Sequence, residues 1–384
     1  MDSERKSRPS MIPKPPAHVL TIDDATTLAT FVSDMAQRDW IAIDTEFLRE
    51  RTYHPQLCLV QIADTERAGV IDVLAIDDLT PLGTLLTDTT VTKVFHSAEQ
   101  DLEVLLHTFG TMPGPVFDTQ LAGPLAGLDD QMGYARMVDA LLDVKLSKAH
   151  TRTDWRQRPL PEGAMAYAAD DVRYLSVAYR LIVDELARRD RLAWAMEDAE
   201  RLTVPDRFAP EIDGAWRRIK AWPRLSPAAQ QILAELASWR EHEALTADRP
   251  RRWILADDAI IALAETAPTD DLTLADTPAL PEKTLARHGE ALLAAVARGL
   301  ARNPVVLDPD AGPPDAATKR QIKAGMQALE DAARQSDVPA PTLSSRAEIA
   351  RLVAGRRDLR LLQGWRRTIA GETVQRAVAA AQQN

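Results

Sequence analysis

The amino-acid sequence predicts an α/β domain followed by all-α, helical domains. Strand-like and helix-like patterns of apolar residues alternate from about residue 19 to 120, which is typical of an α/β domain. Between residues 130 and 190 the pattern becomes helical. The proline-containing passage 203–210 interrupts this pattern and predicts a linker. Beyond it, the chain has the apolar spacing of helices.

The elements of the α/β domain are predicted from the periodicity of apolar residues and from helix-start signals. Strands are expected at 39–47, 57–63, 68–73, 91–96 and 115–118. Helices are expected near 24–37, 98–109 and 118–127. A long helix is expected to begin near Pro161, because proline is favoured in the first turn of a helix.

Composition excludes several classes of protein. The 384 residues are enough for two or three domains. No run of about 18 apolar residues occurs, so no membrane span is expected, and the first six residues lack the apolar core of a signal peptide. The single cysteine, Cys58, cannot form an internal disulfide, which favours a reducing cytoplasm. The net charge of −11 argues against general affinity for nucleic acid.

The first candidate site is the segment Ile41–Phe47. Ile41 and Ile43 alternate with less bulky or polar residues, which predicts a strand. Side chains two apart on a strand share a face, so Asp44 and Glu46 project together. Two neighbouring carboxylates repel, and their position at the end of an apolar strand indicates a cation between them. A strand that runs into an acidic loop would give the same local pattern.

The second candidate site begins a helix after His96. Ser97 and Gln100 have the spacing of a capping box. The other polar side chains of this segment lie on the solvent-facing arc, but Asp101 falls on the apolar arc, where an unpaired carboxylate is costly. This mismatch indicates a functional residue. An aspartate favoured at a helix start by the macrodipole is the alternative interpretation.

The third candidate site lies on the long helix. Tyr167 and Asp171 are four residues apart and therefore share a face. Asp170 lies on another arc beside Arg173, where a surface ion pair is expected. Asp171 is thus the candidate ligand, and Tyr167, taken alone, could equally be a core aromatic residue.

Together the three segments resemble the exonuclease motifs of the DEDD superfamily, in the subgroup with Tyr-x-x-x-Asp in the third motif. They most resemble the motifs of the ribonuclease D family. The flanking segments Tyr53–Ile62 and Lys148–Leu160 agree with this resemblance. It covers residues 20–200 and implies a 3′→5′ exonuclease domain at 1–205. The fold that it implies is a ribonuclease-H-like mixed sheet with its second strand antiparallel and with flanking helices.

The resemblance also implies a cofactor and a role for each residue. Two divalent metal ions, Mg²⁺ or Mn²⁺, would be bound by Asp44, Glu46, Asp101 and Asp171, with Asp44 bridging both. Glu46 and Asp171 would hold the ion that carries the attacking water, and Asp101 would complete the second site. Tyr167 would orient the water, since a phenol with an ordinary pKa of about 10 is a weak base.

The helical region resembles HRDC domains. The most similar segments are Leu236–Glu241 and Arg249–Leu255, and an HRDC domain is expected at 211–300. A weak echo of this pattern recurs 89 residues later, where Pro339 corresponds to Pro250. It predicts a second, diverged HRDC-like domain at 308–384. We expect the first copy to contact RNA and the second to be structural.

Basic side chains near the acidic residues are candidates for contacts with phosphates. Residues 145–158 contain five basic residues and one acidic residue, and three arginines precede Trp253. The predicted nucleic-acid-binding residues are Lys148, Arg152, Arg251, Arg252 and Trp253. Solvated loop charges are an equally good interpretation of any single arginine.

The predicted function is a 3′→5′ exoribonuclease that trims RNA 3′ ends and releases 5′-nucleoside monophosphates. The resemblance suggests tRNA precursors as the substrate. Alternatives are a DNA exonuclease of the same superfamily and a catalytically silent RNA-binding scaffold, which the presence of all five candidate residues disfavours. No Gly-x-x-x-x-Gly-Lys-[Ser/Thr] segment occurs, which argues against a helicase motor. No nucleotide cofactor is expected. A cytoplasmic protein is expected, with a monomer favoured.

Overall fold

The computed structural model describes residues 14–147, 150, 153–304, 307 and 314–382. These residues form two compact units. The first contains the described residues within Met1–Leu48, Leu57–Arg207 and Pro314–Asn384. The second contains those within Arg49–Gln56 and Phe208–Pro313.

The first unit contains a six-stranded mixed sheet. Its strands are β1 (His18–Ile22), β2 (Trp40–Leu48), β3 (Gln56–Ala63), β4 (Arg67–Asp72), β5 (Thr92–Phe95) and β6 (Val116–Asp118). Their order in the sheet is β1-β4-β3-β2-β5-β6. The pairs β1–β4, β2–β5 and β5–β6 are parallel, whereas β3 is antiparallel to β4. The predicted mixed sheet is confirmed, and β3 is the second of the predicted strands.

The five predicted strands correspond to β2 through β6, each within one residue of the expected bounds. The edge strand β1 is absent from the prediction. Four of its five residues are exposed, so it lacks the alternation of buried and exposed side chains that identifies a strand in the sequence.

The described residues up to Glu200 form seven α-helices. They are α1 (Ala25–Met35), α2 (Thr80–Thr87), α3 (Glu99–Phe109), α4 (Thr119–Ala122), α5 (Tyr134–Leu142), α6 (Ala164–Arg188) and α7 (Leu192–Glu200). The three helices predicted before residue 130 correspond to α1, α3 and α4, which a 3₁₀ turn extends. The short helix α2 was not predicted.

The long helix α6 packs on β2 and β4. Val172 and Leu175 lie on its buried stripe, and complete burial of such a side chain contributes about 1.5–3 kcal/mol. The helix begins at Ala164, later than the predicted start near Pro161. Gly163 precedes it with φ of 81°, a left-handed conformation that favours glycine.

The second unit is helical. Its helices are α8 (Pro227–Thr246), α9 (Arg251–Ile254), α10 (Asp257–Thr266), α11 (Asp271–Ala275) and α12 (Glu282–Ala301). The hydroxyl of Ser226 accepts a hydrogen bond from the Ala229 N–H and so caps α8. Leu233, Leu263 and Leu292 are fully buried in the core of this unit.

The C-terminal helices belong to the first unit. They are α13 (Ala316–Ser336), α14 (Ala340–Leu343), α15 (Arg346–Val353), α16 (Gly364–Arg366) and α17 (Glu372–Gln382). The ring of Trp365 stacks on Trp194 of α7, with centroids 4.7 Å apart and an interplanar angle of 2°. The guanidinium of Arg366 is buried in an ion pair with Asp198, also on α7. Through these contacts the C-terminal helices pack on α7, which follows the long helix of the third motif.

Local geometry agrees with the 89-residue echo in the sequence. Asp248 and Asp337 both have left-handed backbone conformations, with φ of 45° and 51°. Pro250 and Pro339 each precede a four-residue helix with ψ of 135°. The predicted bounds of the three domains remain predictions.

Candidate active site

Strand β2 carries two of the candidate residues into a pocket. Ile41 and Ile43 are fully buried and anchor the strand in the sheet. Asp44 and Glu46 are half-buried and lie two residues apart, so their side chains project from the same face. Both line the same pocket.

Thr45 ties the second motif to the first. Its hydroxyl donates a hydrogen bond of 2.5 Å to Oδ1 of Asp101 on α3. Asp101 is only 7 % exposed, and its helix neighbours Leu102 and Leu105 are fully buried. The predicted placement of Asp101 among apolar residues is therefore what the structure shows.

The start of α3 differs from the prediction. Ser97 has φ of 65°, and Ala98 is the N-cap, without a side-chain cap of its own. The carboxylate of Asp118, at the end of β6, instead accepts hydrogen bonds from the N–H groups of Ser97 and Ala98, at 3.1 and 2.9 Å. The predicted capping box of Ser97 and Gln100 is wrong, because Ser97 precedes the helix in a left-handed conformation and Ala98 takes the N-cap position.

Helix α6 presents Tyr167 and Asp171, one turn apart, to the pocket that β2 lines. Asp170 accepts a hydrogen bond of 2.7 Å from Arg173, which is the predicted ion pair. The ring of Tyr167 packs beside Trp155 and His150, with centroids at 6.3 and 5.8 Å.

The structure brings three of the four candidate carboxylates together. Ligand oxygens of Asp44, Glu46 and Asp171 lie within 4.8 Å of one another. The pocket around them has a volume of 230 Å³ and is lined by Asp44, Thr45, Glu46, His96, Tyr134, Tyr167, Asp171 and Leu175. Asp101 is not part of this three-residue cluster. Its charge nevertheless raises the pKa of Glu46 and of Asp171, and the charge of Asp44 raises the pKa of Asp101.

The cluster is electrostatically unfavourable without a cation. Burial, and then the charges of Asp44, Asp171 and Asp101, raise the pKa of Glu46 to about 9. Burial, followed by Asp170 and Asp101, raises the pKa of Asp171 to about 7. Burial also raises the pKa of Asp44 and of Asp101 well above the usual range. Each charged neighbour that shifts these pKa values is another carboxylate, so a divalent cation would relieve the repulsion.

The electrostatics of Tyr167 favour a hydrogen-bonding role. Burial, and then the charges of Asp171, Glu46 and Asp44, raise the pKa of its hydroxyl. A phenol with a raised pKa stays protonated at neutral pH and is a weak base. Its O–H can therefore orient a water molecule rather than deprotonate it.

Two residues that line the pocket, Tyr134 and His96, were not predicted as site residues from the sequence. Tyr134 of α5 donates a hydrogen bond of 2.9 Å to the carbonyl oxygen of Asp170. Its ring lies 5.5 Å from that of His96, and Nδ1 of His96 lies 2.9 Å from Oγ1 of Thr119. His96 is thus a hydrogen-bonding residue, and its place in the pocket depends on contacts with two other segments.

Comparison with known proteins decides the family. The 3′-5′ exonuclease family matches residues 19–187, and the HRDC domain family matches residues 229–296. Ribonuclease D of Gluconacetobacter diazotrophicus is 38% identical over 375 residues, which cover 93% of this chain and 91% of that protein. The chain belongs to the ribonuclease D family.

Further members and a solved structure agree. Ribonuclease D of Shewanella sp. (strain ANA-3) is 33% identical over 360 residues, covering 92% of each chain. Escherichia coli RNase D, an exoribonuclease involved in structured RNA processing, matches with a TM-score of 0.85 and 29% identity. That match covers 94% of this chain and 99% of the other. The predicted fold and the predicted class, a 3′→5′ exoribonuclease with an HRDC domain, are confirmed.

The residues predicted to contact RNA in this ribonuclease D family member differ in their surroundings. Lys148 and Arg152 lie outside the described residues. Arg251 is half-buried and donates hydrogen bonds to Glu241 at 2.5 and 2.6 Å. Arg252 is exposed, and Trp253 is 58% exposed. The prediction that these residues bind nucleic acid remains a prediction.

The ribonuclease D family implies divalent metal ions, and the cluster of half-buried carboxylates fits them. Carboxylate oxygens are the ligands that hard divalent cations prefer. In the part of the chain that the structure describes, no helix has both the length and the apolar composition of a membrane span.

Proposed function

We propose that this member of the ribonuclease D family trims the 3′ ends of tRNA precursors by two-metal-ion hydrolysis and releases 5′-nucleoside monophosphates. The convergence of Asp44, Glu46 and Asp171 carries this proposal, since their ligand oxygens lie within 4.8 Å of one another. Mg²⁺ and Mn²⁺ are the cations that such an oxygen-rich site favours. The raised pKa values of these buried carboxylates support the same conclusion.

The four carboxylates would share the binding of the two ions. When bound, the two ions acidify the attacking water and stabilise the negative charge that develops on the leaving oxygen. Asp44 would contribute to both sites, and Glu46 and Asp171 would hold the ion on the nucleophile side. Asp101 would serve the second site, with its orientation set by the hydrogen bond from Thr45.

Tyr167 would position the nucleophile. Its hydroxyl stays protonated because burial and the neighbouring carboxylates raise its pKa, so it can donate a hydrogen bond to the water or to a phosphate oxygen. The rings of Trp155 and His150 hold the phenol in place. Preorganised donors of this kind stabilise charge in the transition state.

The substrate is proposed from the relatives and from the exposed basic residues. The related Escherichia coli enzyme takes part in structured RNA processing. In this chain, Arg252 and Trp253 are exposed and would supply a phosphate contact and a stacking surface. We also propose phosphate contacts for Lys148 and Arg152, which precede the third motif in the sequence. We further propose that the protein acts in the cytoplasm as a monomer.

One experiment tests the activity. 5′-Labelled single-stranded RNA and DNA are incubated with the enzyme and Mg²⁺ or Mn²⁺, beside the variants Asp44→Asn and Asp170→Asn. We expect a ladder of 3′-shortened RNA with the wild type and with Asp170→Asn, because the carboxylate of Asp170 pairs with Arg173 and does not line the pocket. Asp44→Asn should give no ladder. Shortening of DNA alone would favour the alternative DNA exonuclease, and no metal-dependent shortening would overturn both.

A second experiment tests the substrate. A tRNA carrying extra 3′ nucleotides is compared with an unstructured RNA of the same length. We expect the enzyme to stop near the mature tRNA end and to degrade the unstructured RNA further. Equal and complete degradation of both would contradict tRNA trimming and leave the exoribonuclease activity in place.

A further inference from the structure

A short segment of the second unit follows the strand that carries Asp44 and Glu46. It is Arg49–Gln56, between β2 and β3. The N–H groups of Tyr53 and His54 both donate hydrogen bonds to Oδ1 of Asp248, at 3.0 and 3.2 Å. The backbone of this segment is therefore held by the chain that leads from α8 into α9.

The side chain of Tyr53 reaches a buried carboxylate of the same unit. Its hydroxyl donates a hydrogen bond of 2.5 Å to Oε1 of Glu241, which is 1% exposed. Arg251 donates to both oxygens of Glu241, from Nε at 2.5 Å and from Nη2 at 2.6 Å. Arg218 adds a fourth hydrogen bond at 3.2 Å. Glu241 thus has the partners that a buried charge requires.

Arg251 also packs on the tyrosine ring. Its guanidinium carbon lies 4.6 Å from the ring centroid of Tyr53, within the range of a cation–π interaction. Nη2 of Arg251 donates a further hydrogen bond of 3.0 Å to the Tyr53 hydroxyl. Because the charge of Arg251 is paired with Glu241, it is poorly suited to bind a phosphate.

The residues on either side of this network are exposed and mostly basic. Arg51 lies two positions before Tyr53, while Arg252 and Trp253 directly follow Arg251. Trp253 is 58% exposed, a high value for so large an apolar side chain. Exposed arginines beside an exposed indole suit a single RNA strand, which offers phosphates and stacked bases.

We propose that the network of Tyr53, Glu241 and Arg251 is a positioning device for the RNA strand. It holds segment Arg49–Gln56 in one conformation, so that Arg51 forms one RNA-binding surface with Arg252 and Trp253. This surface binds nucleotides upstream of the 3′ end and does not take part in hydrolysis. The inference rests on the proposed function, because it assumes an RNA substrate.

The variant Tyr53→Phe tests the proposal. It keeps the ring that Arg251 packs on and removes the hydroxyl that binds Glu241. Two substrates are compared: a single-stranded RNA of many nucleotides, and a dinucleotide, which has no upstream nucleotides to bind. We expect KM for the long RNA to rise by about tenfold, as for loss of one hydrogen bond to a charged group. We expect kcat on the long RNA and the rate on the dinucleotide to be unchanged.

Two further variants separate this role from a general effect on the fold. Arg217→Ala removes an exposed arginine of the same unit that pairs with Glu211 at 3.1 Å, and it should match the wild type on both substrates. Arg252→Ala should raise KM for the long RNA alone and reduce its dependence on salt concentration.

Three results would overturn the proposal. One is a Tyr53→Phe variant that matches the wild type on the long RNA. Another is a parallel loss of activity on both substrates with a lowered melting temperature, because the network would then only support the fold. The third is a wild-type enzyme that degrades DNA but no RNA, in which case the proposed function fails as well. Wild-type RNA degradation with an unchanged KM for Tyr53→Phe rejects the positioning device alone.

Discussion

Replacing Glu46 by glutamine should stabilise the metal-free protein while it abolishes hydrolysis. At 4.8 Å and an effective dielectric constant of about 20, two ionised carboxylates repel by about 3.5 kcal/mol. Glu46 avoids part of this cost by binding a proton, since burial and then Asp44 and Asp171 raise its pKa to about 9. Glutamine removes both the charge and the proton.

The sign of the pH dependence follows from this raised pKa. The folded protein keeps the proton of Glu46 at pH values where the unfolded chain, with a pKa of about 4.5, has lost it. The free energy of unfolding therefore falls as pH rises from the unfolded pKa towards the folded one, by up to about 1.4 kcal/mol per pH unit. Between about pH 6 and about pH 8, the wild type should lose up to about 3 kcal/mol more than Glu46→Gln.

Denaturant unfolding in the presence of a chelator, at both pH values, measures this difference. Glu162→Gln is the control, because Glu162 is an exposed carboxylate before α6, and its stability should follow that of the wild type. Added Mg²⁺ should stabilise the wild type more than Glu46→Gln, because binding to the folded state alone stabilises it. Equal pH dependence of wild type and Glu46→Gln would refute this account of the cluster.

Three further predictions concern single side chains. Asp171→Asn should lower kcat at least about a hundredfold, whereas Asp170→Asn should change kcat by less than about threefold. Single-turnover assays measure both effects, and equal effects would contradict the assignment of Asp171 as the ligand. Tyr167→Phe should lower the rate of RNA hydrolysis about a hundredfold. Mg²⁺ should still raise the melting temperature of this variant as it does for the wild type. Loss of that increase would mean that the tyrosine supports metal binding. Arg366→Ala should destabilise the protein by about 3–5 kcal/mol in denaturant unfolding, because it leaves the buried carboxylate of Asp198 unpaired; an unchanged stability would show that this ion pair is dispensable.

The site residues that the sequence predicted share one property: their signal is local. Asp44 and Glu46 are two apart on a strand, and Tyr167 and Asp171 are four apart on a helix, so their common faces follow from the periodicity of each element. Asp101 was singled out by a conflict between its charge and its apolar face, and the structure buries it beside Thr45.

The features that the sequence missed depend on contacts between distant segments. The carboxylate of Asp118, about twenty residues away, binds the N–H groups of Ser97 and Ala98 just before α3, and Ser97 does not cap this helix. The surroundings of Arg251 are another such feature. Its guanidinium is paired with Glu241 and packed on Tyr53, which lies 198 residues before it. No periodic pattern in the sequence records such a pairing.

By itself, the sequence determined the class of element that carries each motif and the residue types that a divalent cation needs. Periodicities of two and of about four residues are enough for that, because they act within a single strand or helix. Only the tertiary structure decided which carboxylates converge, with Asp44, Glu46 and Asp171 in one cluster and Asp101 hydrogen-bonded to Thr45. It also decided that the C-terminal helices pack with the exonuclease helices through Trp194. The physical reason is that convergence and packing are properties of separate elements brought together by burial, and their distances in space bear no fixed relation to their separation in the chain.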